Sequence, residues 1–219
     1  MRRIFVNRIT ASLLVLAGVC AAGPPAFAHP HVFVAVKSVL LFGPDGRVTG
    51  VRHSWTFDDM YSAFALQGLG GPGGKPSEGE LVALAKVNVE QLEEASYFTF
   101  VRAGGRRMEF GPAREYRTTV DDKRNLTLHF TAPLKEPASA SRAFTMQVYD
   151  PTYYVAFDFE KSAPVVLSSA PPGCSLNIIQ PRPLAPDLQA RLNDSMGTNV
   201  SPGADFGLKL AARVVVACP

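Results

Sequence analysis

Two of the four histidines of this chain, His29 and His31, are separated only by Pro30. Imidazole nitrogens suit copper, nickel, cobalt and zinc better than calcium or magnesium. If the chain is cleaved after Ala28, the free amine of His29 becomes a further nitrogen ligand. Pro30 has no N–H to deprotonate, which excludes the square-planar copper site built from backbone amides. These residues predict a transition-metal chelate; the alternative is that they are only the frayed start of a strand.

Two further side chains are candidates for the same site. We expect Asp58 to lie across a β-hairpin from His31, as a ligand or as the partner that orients the imidazole. The same carboxylate could instead cap a helix that follows it. His129 lies on the polar side of an alternating strand and could join His31 if their strands are neighbours; otherwise it is a surface residue. His53 falls on the core side of the hairpin, which predicts a buried, hydrogen-bonded histidine.

The first 28 residues have the pattern of a secretory signal peptide. Basic residues precede an apolar segment at 9–22 that is too short to span a bilayer comfortably, and Ala26 and Ala28 provide the small residues needed for cleavage. Lipidation at Cys20 is the alternative, although Val19 is bulky for that reaction. We therefore predict a signal peptide at 1–28 and a single periplasmic domain at 29–219 that does not insert into the membrane.

Charge and cysteine content narrow the function further. The net charge of +3 equals the contribution of Arg2, Arg3 and Arg8, all within the predicted signal peptide. The rest of the chain has equal numbers of basic and acidic side chains, which gives no reason to expect a nucleic-acid partner.

Cys174 and Cys218 form an even pair in an oxidising compartment, and we predict a disulfide between them. A thiolate metal pair is the alternative, with unfavourable spacing.

The order of the elements predicts an α+β fold. Two strands rich in β-branched and aromatic residues, at 31–42 and 47–57, flank a Gly-Pro-Asp-Gly turn and should form a hairpin in which Phe42 pairs with Arg47. Two helices are expected next, at 58–67 and 78–97. Short strands, a helix at 184–192 and a closing strand at 213–218 complete the pattern. We expect an antiparallel sheet or sandwich with the helix pair inserted after the first hairpin.

The connection between those helices can be aligned with a calcium-binding EF-hand loop over residues 69–80, with Gly74 at its sixth and Glu80 at its twelfth position. The first, third and fifth positions hold leucine or glycine, which offer no carboxylate or amide oxygen. The sequence therefore argues against calcium. Ser77 and Glu80 instead have the spacing of a helix capping box.

Motifs of common enzyme classes are missing from the sequence. We find no Gly-x-Ser-x-Gly, no His-Glu-x-x-His, no phosphate-binding glycine loop and no unpaired cysteine nucleophile in the predicted mature chain. We therefore expect a protein that is not an enzyme. A small copper-dependent enzyme built on His29 is the one catalytic alternative.

Several motifs together resemble the family of exported bacterial proteins called domain of unknown function 1007. They are His29-Pro30-His31-Val32-Phe33, Arg52-His53-x-Trp55-Thr56-Phe57-Asp58, Tyr61-Ser62-Ala63-Phe64, Leu84-Ala85-x-x-Asn88, Tyr97-Phe98, Tyr149-Asp150-Pro151-x-Tyr153 and the Cys174 and Cys218 pair. The resemblance implies a periplasmic component of an uncharacterised ABC-type transport system and a companion of nickel/cobalt-type membrane transporters. It also carries over the His-Pro-His as a suspected metal motif, whereas the calcium-like loop of many relatives is not matched here.

The combined expectation is a periplasmic accessory protein that binds nickel, cobalt, copper or zinc and works with a membrane metal transporter. The alternative from another class is a non-catalytic envelope module, either structural or protein-binding, whose histidines are incidental.

Overall fold

A computed structural model describes residues 30–71, 74–196 and 202–219. Its strands are β1 (Val32–Phe42), β2 (Val48–Phe57), β3 (Thr99–Ala103), β4 (Arg106–Arg107), β5 (Arg114–Val120), β6 (Leu126–Ala138), β7 (Phe144–Val148), β8 (Val155–Phe159), β9 (Val165–Ser168), β10 (Ser175–Ile179) and β11 (Arg213–Ala217). Its helices are α1 (Asp59–Ala65), α2 (Glu78–Glu94), α3 (Pro186–Met196) and α4 (Phe206–Leu210), with a 3₁₀ turn at Ser96–Phe98. The α+β fold with a helix pair after the first hairpin is confirmed, whereas α4 was not predicted.

The strands form two sheets. The first has the order β5-β6-β2-β1-β8, with β9 also paired to β1, and the second has the order β10-β11-β7-β3-β4. Pairing is antiparallel except along one edge of β1, where β8 and then β9 run parallel to it. The long β1 strand therefore holds two short strands end to end, a long-range pairing that local sequence patterns do not encode.

The core lies between the sheets because alternate side chains of each strand point to one face. In β1, Val34, Val36 and Leu40 are buried, and Phe144 and Met146 of β7 are buried in the second sheet. The helix α2 covers part of this core with Ala85 and Val89. The predicted inward face of the hairpin is confirmed.

The hairpin register differs from the predicted one. Val34 pairs with Phe57, and the register shifts between Leu41 and Phe42, where Thr49 is left as an extra residue. This bulge, together with a longer turn, moves the pairing by two positions. An even shift leaves every side chain on its predicted face. It nevertheless places Asp58 level with Phe33, with the backbone N–H of Asp58 donating to the Phe33 carbonyl at 3.0 Å.

The start of α2 is fixed by the capping box expected from the sequence. The Ser77 hydroxyl accepts from the backbone N–H of Glu80 at 3.3 Å, and the Glu80 carboxylate accepts from the backbone N–H of Ser77 at 2.7 Å. The other carboxylate oxygen accepts from the backbone N–H of Gly70 at 3.1 Å. Hydrogen bonds from Ser77 lower the pKa of Glu80. Glu80 therefore organises the loop through hydrogen bonds to the protein itself.

A disulfide joins Cys174 and Cys218, with their Cα atoms 4.1 Å apart. These residues flank β10 and β11, which pair at the edge of the second sheet. The predicted bridge is confirmed, and it indicates an extracytoplasmic protein because disulfides persist in oxidising compartments. In the part of the chain that the structure describes, every helix falls short of the length and apolar character needed to cross a membrane.

Candidate functional site

The candidate metal site begins at His31, just before β1; His29 lies outside the described residues. The backbone N–H of His31 donates to the carbonyl of Tyr154 at 2.8 Å. The imidazole stacks on the Tyr154 ring, with centroids 4.5 Å apart and planes inclined by 29°. His31 is half-buried. The stack therefore gives the imidazole a defined position at the entry to the sheet.

The position of Tyr154 depends on a turn built by Asp150. The buried Asp150 carboxylate accepts from the backbone N–H groups of Thr152, Tyr154 and Val155 at 2.9 to 3.0 Å. Between them, Tyr153 adopts a positive φ of 59°. Tyr154 was not predicted as a partner of His31, although the Tyr-Asp-Pro segment before it marks a turn.

Asp58 does not lie opposite His31 as predicted. One carboxylate oxygen accepts from the backbone N–H of Phe33 and the other from the backbone N–H of Tyr61, both at 2.7 Å. The second bond makes Asp58 the N-cap of α1. The helix-capping alternative is therefore the correct one, and the carboxylate links α1 to β1.

His129 lies on the outer, polar face of the first sheet, away from His31. Its Nδ1 is 2.9 Å from the Ser54 hydroxyl and its Nε2 is 2.9 Å from the Thr119 hydroxyl. Partial burial, and then the charge of Arg117, lower its pKa.

The strands that carry the two histidines are not neighbours, because β2 separates β1 from β6. His129 is level with Ser54, which pairs with Lys37, six positions along β1 from His31. At the usual rise and strand spacing, the two histidines are about 20 Å apart. The structure therefore does not bring His129 to the predicted site.

His53 is confirmed as a core histidine. It is fully buried, with Nδ1 3.0 Å from the Ser38 hydroxyl and Nε2 3.2 Å from the Thr99 hydroxyl. Thr99 donates its own hydrogen to the Tyr97 carbonyl at 2.7 Å. Nε2 must therefore carry the proton and Nδ1 must accept from Ser38. Burial lowers the pKa of His53 to about 3, so the ring is neutral at ordinary pH.

The described residues contain no group of three or more His, Cys, Asp and Glu side chains arranged to hold a metal ion. Of the four predicted ligands, His31 is placed just before β1, Asp58 caps a helix and His129 lies two strands away on the first sheet. The remaining one, His29, is outside the described ranges. A chelate would therefore depend on His29 and His31 together.

A cavity that the sequence analysis did not anticipate lies next to the His31 stack. It has a volume of about 310 Å³, and Tyr154 forms part of its wall. Trp55 of β2 lines it as well, although the alternation of β2 identified this residue only as core. The indole Nε1 of Trp55 is buried and has no hydrogen-bond acceptor among the described residues.

The sandwich, its helix pair and the disulfide define the class: an extracytoplasmic α+β protein. Within that class, the chain belongs to the family described as Protein of unknown function (DUF1007), whose model matches residues 13–218. An uncharacterised protein of Haemophilus influenzae is 23% identical over 193 residues, which cover 87% of this chain and 91% of the relative. An uncharacterised 15.5 kDa protein in the trpE 3′ region of Spirochaeta aurantia is 31% identical over 94 residues, covering 43% of this chain and 66% of the relative.

Proposed function

We propose that this protein is a periplasmic accessory protein that binds a transition-metal ion through His29 and His31 and works with a membrane metal transporter. The observation that carries the proposal is the placement of His31, whose imidazole is stacked on Tyr154 and whose backbone is hydrogen-bonded to it. A ring with a fixed position loses little conformational freedom when it binds a metal ion.

The chemistry of the site requires cleavage after Ala28, which is part of the proposal. Cleavage would free the amine of His29, and the amine and imidazole of one residue can bind the same ion. His31 would add a second imidazole. Nitrogen ligands of this kind favour copper, nickel, cobalt or zinc. Pro30 blocks the use of its own backbone nitrogen, so three nitrogens are available from the two histidines.

Exposed apolar side chains near His31 support a contact with another protein. They fit the alternative of an envelope module and, equally, the proposed contact with a membrane transporter. Phe33 is 51% exposed, and its backbone N–H is bound by Asp58, the N-cap of α1. On α1, Met60 and Phe64 are 68% and 72% exposed. Met60 and Phe64 are four positions apart and share one face of the helix. Large exposed apolar residues grouped in this way are typical of contact surfaces.

The metal proposal is tested by titrating copper(II) or nickel(II) into protein that begins at His29 and into a version with one added N-terminal glycine. The extension removes the amine from the chelate, and we expect affinity to fall about tenfold or more, equivalent to about 1.4 kcal/mol. His31→Ala should weaken binding about 10- to 100-fold. His129→Ala is the matched control and should leave affinity unchanged.

Equal affinities of the two versions would remove the amine from the site. If His31→Ala binds as tightly as the parent, the metal site is elsewhere. Intact-mass measurement of the exported protein checks the start at His29, and a different start would refute the terminal chelate.

A further inference from the structure

The strand β10 forms one edge of the second sheet. It pairs with β11 on one side and with no described strand on the other. An unpaired edge presents a row of backbone N–H and C=O groups that can pair with another chain. Proteins usually protect such edges with charged side chains, bulges or very short strands. The outermost strands of the two sheets differ in this protection.

Most of these outermost strands are protected. β4 consists of two arginines, β5 carries charged side chains and an irregular register, and β8 contains the exposed Asp158. β9 is uncharged but has only four residues. β10 has five residues, and it belongs to a segment at 162–181 without any Asp, Glu, Lys or Arg. Among the described strands, β10 is therefore the edge that is least protected against pairing with another chain.

The backbone of β10 directs hydrogen-bonding groups outwards at two positions. The Ala217 carbonyl faces β10 and accepts from the Ser175 hydroxyl at 3.3 Å, whereas the backbone N–H of Cys218 donates to the turn before β7 at 2.9 Å. Along an antiparallel strand, the backbone groups of successive residues point alternately to its two neighbours. Since Ser175 pairs with Ala217, Leu176 and Ile178 direct their N–H and C=O groups to the open edge.

The side chains of β10 make this edge complementary to a copy of itself. Leu176 and Ile178 are half-buried against the core, while Ser175, Asn177 and Ile179 are exposed. An antiparallel pairing centred on Asn177 places Leu176 opposite Ile178 of a second copy. Apolar side chains then meet on the inner face. The outward backbone groups of the same residues also face each other, and each such pair exchanges both of its N–H···O bonds.

We propose that two copies of this protein associate through β10, in the antiparallel register centred on Asn177, so that their second sheets form one continuous sheet. Such a contact uses the same surface of both copies, and its two-fold symmetry limits it to a dimer. A second copy brings the same uncharged segment, so pairing leaves no charge buried and unpaired. A contact of five residues from each copy is small, and the association should therefore be weak and concentration-dependent.

Sedimentation equilibrium of the exported protein tests the association. EDTA is present throughout, so that metal bridging does not contribute. The average mass of the parent should rise from the monomer mass towards twice that value as the concentration approaches millimolar. Asn177→Lys places two like charges directly opposite each other and should remain monomeric. Gln67→Lys adds the same charge at an exposed position beside α1 and should associate as the parent does.

Cysteine cross-linking tests the register. Asn177 bonds to β11 through its backbone, so it faces Asn177 of the second copy as a non-hydrogen-bonded pair with Cα atoms about 4.5 Å apart. That distance allows a disulfide. With oxidised glutathione, Asn177→Cys should therefore form a covalent dimer. Ile179→Cys is the matched control, because its two copies are about 14 Å apart in this register and should not be joined.

A parent that stays monomeric up to millimolar concentration would overturn the proposal. It would also be overturned if Asn177→Lys associates as the parent does, since the interface would then lie elsewhere. Equal cross-linking of Asn177→Cys and Ile179→Cys would refute the register. The cross-linking result stands whatever the lysine does to the fold, and titration of metal into His29 and His31 is a separate measurement.

Discussion

At the scale of single residues, His53 and His129 show how environment determines what a histidine can do. Each has a hydroxyl group next to both ring nitrogens. His53 is enclosed between the two sheets, whereas His129 lies on an outer face. The alternation of the strands predicted this difference. The Thr99 partner could not be predicted, because it belongs to the other sheet and nothing local connects it with β2.

The buried His53 should make the fold sensitive to acid. Its pKa is about 3 in the folded protein and near 6.5 when unfolded, so the unfolded state takes up the proton first as pH falls. This contribution to stability is complete above pH 6.5 and decreases towards pH 3. Urea unfolding measures the free energy of unfolding at pH 7.5 and at pH 5.0. Between these two pH values, we expect it to fall by about 2 kcal/mol more in the parent than in His53→Gln.

The control for this experiment is His129→Gln, which should keep the parent's pH dependence because it leaves His53 in place. An equal loss of stability in the parent and in His53→Gln would show that His53 is not buried in its neutral form.

At the scale of secondary-structure elements, α2 depends on its capping box. Ser77→Ala removes the hydroxyl that accepts from the Glu80 N–H, and we expect a loss of about 1 kcal/mol in the free energy of unfolding. Ser77→Thr keeps a hydroxyl and should remain close to the parent. Urea unfolding measures both, and equal stability of all three proteins would contradict the role of the cap.

Sequence patterns predicted these elements well because their signals are local. The Ser77 and Glu80 pair marked the start of α2, and alternation marked both faces of the first hairpin. The error in register came from the longer turn and the bulge at Thr49 together, and hydrophobic alternation specifies neither. Because of this two-position shift, Asp58 lies level with Phe33 and not with His31. Its carboxylate accepts from the backbone N–H of Phe33 and caps α1.

At the scale of the whole molecule, two features that the sequence could not predict arise where distant segments meet. The stack of His31 on Tyr154 joins the residues that immediately precede β1 and β8, at the same end of their parallel pairing. The cavity lined by Trp55 and Tyr154 likewise combines β2, α2 and β8. Such contacts depend on the order of strands in a sheet, which hydrophobic periodicity does not encode.

The disulfide acts on the whole molecule because it closes a long segment of chain. It spans 44 positions. In the chain-entropy model, closing a loop of that size raises the free energy of the unfolded chain by about 4 kcal/mol. Replacing Cys174 and Cys218 by serine should therefore lower the free energy of unfolding by about 2–5 kcal/mol. The parent treated with a reductant is the matched control and should lose a similar amount of stability.

Copper or nickel affinity should change little, because the bridge is at the edge of the second sheet and His31 is at the start of the first. Two reactive thiols in the native exported protein, or unchanged stability after reduction, would contradict this prediction.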